Sequence, residues 1–204
     1  MSSTMTLAVR ERADFADFLD KLAPEQWDLP TLCAGWTVRE VVAHVISYDV
    51  IGWRGAFGRL ARGRFSLHRA NAIGVAEYAD TDLVALFRTY ARPRGLTTAF
   101  GGRIALVDGM IHQQDIRRPL GLPREIPHDR LLVALRFALF APPLGAGKQV
   151  RGLTLTATDV EWSHGSGPEV RGPGEALLMA IAGRCAALPE LTGPGVPLLT
   201  SRLT

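Results

Sequence analysis

Apolar side chains recur every three or four residues along roughly the first 140 positions, which predicts a series of amphipathic helices. The first of these helices is predicted over residues 5–22. A second begins sharply at Thr37, because Thr37 and Glu40 form a T-x-x-E capping box before an apolar run, and it extends to about Leu60. Residues 62–79 fit either helix or loop. The same spacing predicts further helices beginning at Asp80 or Thr81, and over 104–118 and 130–140.

The hydrophobic period changes after a Pro- and Gly-rich segment, residues 141–147. Leu153 and Leu155 then alternate with threonines, a pattern typical of a half-buried strand. The remaining patterns predict two more strands over 159–163 and 168–171, a helix over 173–188 and a loop-like end over 191–204. These elements predict a mainly α protein with two parts, a helical domain over residues 1–142 and a small α+β domain over residues 148–204.

Composition and charge exclude several classes of protein. The chain has 204 residues, enough for one large domain or two small ones with a real hydrophobic core. No apolar stretch approaches the roughly 18 to 20 residues that cross a bilayer, and the N-terminus lacks a signal-peptide pattern, so we expect a cytoplasmic protein without a membrane partner. The net charge of +3 is too small to indicate nucleic acid as a partner. The arginines between Arg54 and Arg69 are interpreted as a solvated face.

Three side chains on the predicted helices could share a metal ion. Asp108 and His112 are four residues apart, so on a helix they lie on one face, one turn apart. His44 lies on the apolar stripe of the second predicted helix, and bundles build metal sites from side chains on facing helices. Two imidazoles and one carboxylate occur in hydrolytic zinc sites and also in Fe(II) sites, so these ligand types leave the metal open. The alternatives are a polar contact between helices for Asp108 and a hydrogen-bonded core imidazole for His112.

The two cysteines, Cys33 and Cys185, are far apart and form no CxxC motif. They therefore indicate neither a disulfide framework nor a zinc ribbon. Cys33 lies just before a predicted helix start, where a thiol can be acidified. The alternative is that Cys33 serves as a small buried hydrophobic residue.

Two motifs and the C-terminal segment resemble one protein family. The first motif runs from Leu32 to His44, with the sequence LCAGWTVREVVAH, and the second runs from Asp108 to Gly121. Residues 153–188 add Ala-Thr-Asp at 157–159, Gly-Pro at 172–173 and Gly-Arg at 183–184. On these segments the chain resembles the mycothiol-dependent maleylpyruvate isomerase family, part of the wider DinB-like superfamily of four-helix metalloproteins. The likeness covers nearly the whole chain.

The resemblance implies a fold and a set of site residues. It implies a DinB-like up-down four-helix bundle that holds a divalent metal, usually zinc, followed by a small α+β C-terminal domain. His44 then matches the first metal ligand and His112 the last, while Asp108 stands where the characterised isomerase has the longer Glu. Arg184 matches an arginine that helps to bind substrate or thiol, and is thereby a candidate for cofactor binding and catalysis. A solvated surface charge is the alternative for Arg184.

By the same resemblance, the implied function is that of a mycothiol-using transferase or isomerase, in which a metal-held thiolate attacks a small electrophilic substrate. In the isomerase reaction the thiol adds to a cis double bond, the bond rotates and the thiol is eliminated. Mycothiol, a divalent metal and a small-molecule substrate are therefore the expected partners, and the sequence leaves a homodimer open. It also leaves open a non-catalytic metal- or thiol-binding protein, such as a sensor, and a metal-dependent hydrolase.

Overall fold

The computed structural model describes residues 3–141 and 144–204, which belong to two compact units. The first unit is Met1–Pro123 and the second is Arg124–Thr204. The first is a helical bundle and the second combines helices with a small sheet, so the predicted fold class is confirmed. The α-helices of the first unit are α1 (Thr4–Leu19), α2 (Val38–Arg62), α3 (Leu67–Tyr78), α4 (Leu83–Thr89) and α5 (Ala99–Leu120).

Helix α2 runs through the core of the first unit. The predicted capping box fixes its start: the Thr37 hydroxyl accepts from the Glu40 N–H at 3.4 Å, and the Glu40 carboxylate accepts from the Thr37 N–H at 2.8 Å. Its β-branched residues are buried in a cluster with aromatic residues of α1 and α4. These residues are Val38, Val41, Val42, Val45 and Ile46, with Phe15, Phe18 and Phe87. The first half of α2 is therefore a rigid support for any side chain that it carries.

A kink interrupts α2 at Gly52, where φ is 61° and ψ is −167°. The 3-10 helix Gly95–Thr98 lies against this kink. A Cβ atom at Gly95 would lie only 2.6 Å from the Cα of Gly52, so the close approach needs glycine at position 95, whereas Gly52 is favoured by its positive φ. The kink at Gly52 therefore serves a packing contact and does not end the helix.

Helices α3 and α4 refine the predictions for the middle of the first unit. The segment 62–79, which fitted either helix or loop, contains α3 after a short turn. Helix α4 is capped by neither Asp80 nor Thr81: the carboxylate of Asp82 accepts from the N–H of Ala85 at 2.9 Å. The predicted start was one or two residues early, because each of these polar residues satisfies the same cap pattern in the sequence.

Helix α5 has irregular ends. Phe100, Gly101 and Gly102 have positive φ angles, so regular helix begins after the two glycines, as predicted. The sequence placed the C-terminal end before Pro119, but the helix includes Pro119 and ends at Leu120. A proline in the last turn is tolerated because only one helical hydrogen bond is lost, the bond to the carbonyl of Asp115.

The second unit contains a three-stranded sheet of β1 (Thr154–Ala157), β2 (Ser163–Gly165) and β3 (Glu169–Gly172) in the order β2-β1-β3. Strand β1 pairs antiparallel with β2 and parallel with β3. The strand predicted over 159–163 is misplaced, because residues 159–162 form the connection that reverses the chain and β2 begins only at Ser163. The N–H of Trp162 donates to the carbonyl of Val160 at 2.8 Å inside this connection. Both side chains are buried, which explains the strand-like pattern.

The helices of the second unit are α6 (His128–Ala138), α7 (Ala146–Gln149), α8 (Gly174–Ile181) and α9 (Val196–Leu203). The helix predicted over 173–188 is divided at Gly183, where φ is 85°, into α8 and the 3-10 helix Cys185–Glu190. The prediction of a loop-like end is wrong, since α9 occupies it and buries Leu199. The prolines and glycines in and around α9 are typical of loops, so its short apolar face did not predict a helix.

The compact units divide at residues 123 and 124, earlier than the predicted boundary at 142 and 148. Helix α6 therefore groups with the C-terminal unit, where it packs on α8. Leu131 and Leu135 of α6 lie so close to Gly174 that a Cβ there would meet both side chains. The Pro- and Gly-rich segment predicted as the boundary belongs to the sequence range of the second unit, and its residues 142 and 143 lie outside the described residues.

Helices α2 and α5 are the longest, with 25 and 22 residues. Both combine a buried apolar face with charged positions, as expected for helices that pack in a protein core. In residues 3–141 and 144–204, no helix is both long and apolar enough to cross a membrane.

A buried ion pair joins three elements of the first unit. The Asp49 carboxylate on α2 accepts from Arg12 of α1 at 3.1 Å. It also accepts from the Arg94 N–H and the Thr97 hydroxyl, both at 2.8 Å, and so holds the 3-10 helix Gly95–Thr98. Burial raises the pKa of Asp49, and the positive charge of Arg12 opposes that effect.

We expect Asp49→Ala to lower the free energy of unfolding by about 3–5 kcal/mol, because it leaves the Arg12 guanidinium buried without its partner. Urea denaturation measures this change. The matched control is Asp17→Ala, which removes an exposed carboxylate of α1 that pairs with Arg88, and it should change stability little. Equal destabilisation by both variants would contradict a special role of the buried pair.

Candidate metal centre

The structure brings together the three side chains that the sequence proposed as metal ligands. Asp108 Oδ1 lies 3.5 Å from His112 Nε2 and 4.0 Å from His44 Nε2. One ligand atom from each residue lies within 4.8 Å of the others. Asp108 and His112 come from α5 and His44 from α2, so the cluster joins two long helices of the first unit.

His44 is held by aromatic contacts near the start of α2. Its ring lies 5.1 Å from the Trp36 ring and 6.0 Å from the Tyr48 ring, centroid to centroid. The His44 and His112 rings are 5.0 Å apart and nearly perpendicular, at 84°. His44 is buried, as predicted from its place on the apolar stripe. The aromatic walls restrict its ring so that Nε2 faces Asp108.

Asp108 forms the open side of the cluster. Its side chain is 33% exposed, whereas the side chains of His44 and His112 are 10% and 11% exposed. The i, i+4 spacing on α5 places its carboxylate one turn from the His112 ring, as predicted. A solute can therefore reach the cluster past the carboxylate, while the two imidazoles are enclosed by protein.

Asp115 binds the opposite nitrogen of His112. Its Oδ2 lies 2.9 Å from His112 Nδ1, and its side chain is completely buried. A carboxylate only accepts hydrogen bonds, so Nδ1 carries a proton and Nε2 is directed toward Asp108 and His44. The sequence placed Asp115 on the same helix edge as Asp108 and His112 but gave it no role. The His-x-x-Asp spacing, an i, i+3 pair, was the available signal.

A short loop adds Cys33 to this arrangement. Its Sγ lies 3.0 Å from Asp115 Oδ2 and 3.5 Å from His112 Nδ1. The loop is bonded to α5, because the Leu32 N–H donates to the Asp115 carbonyl at 3.0 Å. That carbonyl is the one that Pro119 cannot engage inside the helix. Cys33 is therefore half-buried beside charged and polar groups, and the alternative of a purely hydrophobic role does not describe it.

The surroundings of His112 raise its pKa. Burial by itself lowers the pKa of the imidazole, but the negative charge of Asp108 and the hydrogen bond to Asp115 outweigh burial, and Cys33 adds to their effect. The pKa of His112 is consequently well above 6.5. A metal ion at Nε2 would displace a proton from this imidazole.

Tyr48 and Arg59 extend the polar surroundings along α2. The Tyr48 hydroxyl donates to Asn71 Oδ1 at 2.6 Å, and the Arg59 guanidinium lies 5.2 Å from the centre of its ring. Burial raises the pKa of Tyr48, Arg59 opposes this, and the charge of Asp108 adds to the increase. Tyr48 is thereby an additional hydroxyl near the candidate site, which the spacing arguments did not single out.

Arg184, the remaining candidate from the sequence, lies in the second unit. It immediately precedes the 3-10 helix Cys185–Glu190, and its Nη1 donates to the carbonyl of Ala182 at 2.7 Å. Its side chain is half-buried and so is not a fully solvated surface charge. The structure thus brings His44, Asp108 and His112 together and places Arg184 in a different compact unit.

The N-terminal part of the chain resembles a known family domain. Residues 8–95 match the family model of the mycothiol maleylpyruvate isomerase N-terminal domain. This match spans fewer than half of the 204 residues. No curated protein shows significant sequence similarity to this chain.

Solved structures show a similar fold. The crystal structure of the mycothiol-dependent maleylpyruvate isomerase matches with a TM-score of 0.55 and 13% identity, covering 95% of this chain and 96% of that one. A histidine-to-alanine mutant of that isomerase matches equally well. The match covers 95% of this chain and therefore includes residues of both compact units.

We expect the metal-free protein to lose stability as the pH rises from about 6.5 through the raised pKa of His112. A pKa that is higher in the folded state contributes stability below the unfolded value, and this contribution disappears as the folded imidazolium loses its proton. The groups around the ring that set this behaviour are Cys33, His44, Asp108 and Asp115.

Urea denaturation of chelator-treated protein at several pH values measures this dependence. The variant His112→Gln should flatten the dependence, whereas His68→Gln, at an exposed position of α3, should keep it. Stability that rises over the same pH range in the wild type would show that the sign is wrong.

Proposed function

We propose that this protein is a divalent-metal-dependent, mycothiol-using isomerase or S-transferase whose metal is held by His44, Asp108 and His112. The observation that carries this proposal is the convergence of three ligand atoms from two helices within 4.8 Å. The match of residues 8–95 to the mycothiol maleylpyruvate isomerase N-terminal domain supports the thiol and the reaction class.

The spacing of the ligand atoms fits a small divalent ion. Ligands about 2.0–2.1 Å from a tetrahedral zinc ion lie roughly 3.3 Å apart. The carboxylate oxygen of Asp108 lies 3.5 and 4.0 Å from the two imidazole nitrogens, so small side-chain shifts would complete the geometry. The shorter Asp at this position, where the characterised isomerase has Glu, therefore still reaches both histidines. Zinc is the ion that we propose, because it accepts nitrogen and oxygen ligands in this arrangement.

The ligand charges favour a thiol as the further ligand. Two neutral imidazoles and one carboxylate compensate only one of the two positive charges of a divalent ion. When bound, such an ion supplies the positive charge that keeps a low-molecular-weight thiol deprotonated at neutral pH. The thiol and a substrate would approach the metal from the exposed side of Asp108.

Other residues of the chain would keep the site in order. Asp115 fixes the His112 ring and directs Nε2 toward the site, which is the usual role of a carboxylate behind a metal-binding histidine. Trp36 and Tyr48 restrict the His44 ring. These contacts keep the ligands close to their bound positions, so less order has to be gained on metal binding.

The proposed substrate is a small electrophile with a cis double bond next to a carbonyl group, the chemical class to which maleylpyruvate belongs. Addition of a thiolate converts the double bond into a single bond that can rotate, and elimination restores both the double bond and the thiolate. We propose Arg184 as a residue that binds an anionic group of the thiol or the substrate, since a guanidinium can hold a carboxylate through two hydrogen bonds. A non-catalytic metal- or thiol-binding protein and a metal-dependent hydrolase are the competing functions.

We expect protein prepared with zinc to retain about one ion per chain, and His44→Ala and His112→Ala to lose it, because each removes one of three protein ligands. Elemental analysis after gel filtration measures the metal content. His68→Ala is the control, since it removes an exposed histidine of α3 and should keep the wild-type content. Wild-type metal content in both ligand variants would refute the three-residue site.

We expect the visible spectrum of the cobalt-substituted protein to change when mycothiol is added, because a thiolate at the open position alters the ligand field. Titration of the absorption spectrum measures binding, and methanol in place of the thiol is the control for solvent effects. An unchanged spectrum with millimolar mycothiol would contradict a thiol-using enzyme. A changed spectrum without conversion of any cis-enoyl substrate would favour the non-catalytic function.

A further inference from the structure

A second group of metal-ligating atoms lies on the far side of the His112 ring. Cys33 Sγ, His112 Nδ1 and Asp115 Oδ2 are mutually within 4.8 Å, at separations of 3.5, 3.0 and 2.9 Å. None of these atoms belongs to the ligand set of the proposed function, which uses Nε2 of His112. Their chemistry also differs, because the group contains a thiol.

We propose that Cys33, His112 and Asp115 form a second metal site, which takes thiophilic divalent ions such as Cd²⁺ and competes with the first site for His112. The proposal does not need the first site to be catalytic. It rests on three donor atoms that already converge and on the preference of soft ions for sulfur.

The distances fit an ion of this class. A tetrahedral site with metal–sulfur bonds of about 2.3 Å and metal–nitrogen or metal–oxygen bonds of about 2.0–2.1 Å separates its ligands by roughly 3.3–3.6 Å. The Sγ–Nδ1 separation of 3.5 Å already falls in this range, and the two shorter separations are hydrogen bonds that would open slightly. Small rotations of Cys33 and Asp115 therefore suffice.

The charges of the second site balance a divalent ion. A thiolate and a carboxylate together carry two negative charges, and the imidazole is a neutral third ligand. On binding to the imidazolium form, Cys33 Sγ and His112 Nδ1 each release a proton to solvent, and Nε2 keeps its proton. No electron is transferred, so the step needs no oxidant or reductant.

The loop that carries Cys33 is held in place for this contact. The Cys33 N–H donates to the Thr31 hydroxyl at 3.1 Å, and the Trp36 N–H donates to the Cys33 carbonyl at 2.9 Å. The Leu32 N–H bonds the Asp115 carbonyl, which joins the loop directly to the residue that supplies the carboxylate. The thiol thus faces Asp115 before any ion is bound.

The two sites exclude each other through one imidazole. An ion at the second site takes the Nδ1 lone pair and leaves the proton on Nε2, so His112 cannot also bind an ion in the first site. A soft ion at the second site would therefore withdraw His112 from the first site. Without a soft ion, a borderline ion such as Zn²⁺ can bind both imidazoles and Asp108 at the first site. We therefore expect soft ions to lower the affinity of the first site for zinc without binding to Asp108.

The experiment titrates the metal-free full-length protein with Cd²⁺ and follows the ultraviolet charge-transfer band of a cadmium–thiolate bond. Wild-type protein and His44→Ala should both develop the band with one equivalent per chain, because His44 belongs only to the first site. Cys33→Ser should lose the band, and Asp115→Asn should weaken cadmium binding about 10-fold or more. Cys185→Ser, which removes the exposed second cysteine, should keep it. Circular dichroism verifies that each variant is folded.

Three outcomes would overturn the second site. These are the absence of the band in folded wild-type protein, its persistence in Cys33→Ser, and its loss in His44→Ala. The proposed function is judged separately, by zinc retention in Cys33→Ser and zinc loss in His44→Ala. A protein that binds cadmium as described but retains no zinc would support the second site and refute the first.

Discussion

The imidazole of His112 is held from both sides of its ring, and the arrangement of the whole candidate site depends on this. Asp115 and Cys33 contact Nδ1, while Asp108 and His44 face Nε2. A buried imidazole between carboxylates is tolerated because each nitrogen has a partner, and the same partners raise its pKa. Which nitrogen of this ring keeps its proton therefore decides which of the two proposed ligand sets can form.

The helices provide the rigidity that this orientation requires. Residues 108, 112 and 115 occupy one edge of α5, and the apolar face of α2 is packed against the core by β-branched residues. Pro119 contributes in a different way, since its missing N–H leaves the Asp115 carbonyl for the Leu32 N–H of the loop. A residue that the sequence pattern marks as a helix stop thus also fixes the loop that carries Cys33. Sites built on packed helices keep their ligands in narrow positions, which favours tight metal binding.

The two ligand sets around His112 differ in charge and in softness. The first combines two imidazoles with one partly exposed carboxylate and leaves a divalent ion with a residual positive charge, which suits an incoming thiolate. The second combines a thiol with a fully buried carboxylate and neutralises a divalent ion by itself. The first set is consequently suited to chemistry on a further ligand, and the second to an ion that stays bound.

The sequence by itself determined the mainly helical class, the capped start of α2 at Thr37 and the pairing of Asp108 with His112, because these follow from local spacing and hydrogen bonds. It also indicated a resemblance to the mycothiol maleylpyruvate isomerase family, since the motifs around His44 and His112 are contiguous. It did not determine the turn before β2, the helix α9 or the division at residue 123. In these segments the order of apolar and turn-forming residues fits more than one local structure. Only the tertiary structure decided that Cys33 and Asp115 meet at Nδ1, because that contact joins residues 82 positions apart and is created by chain packing.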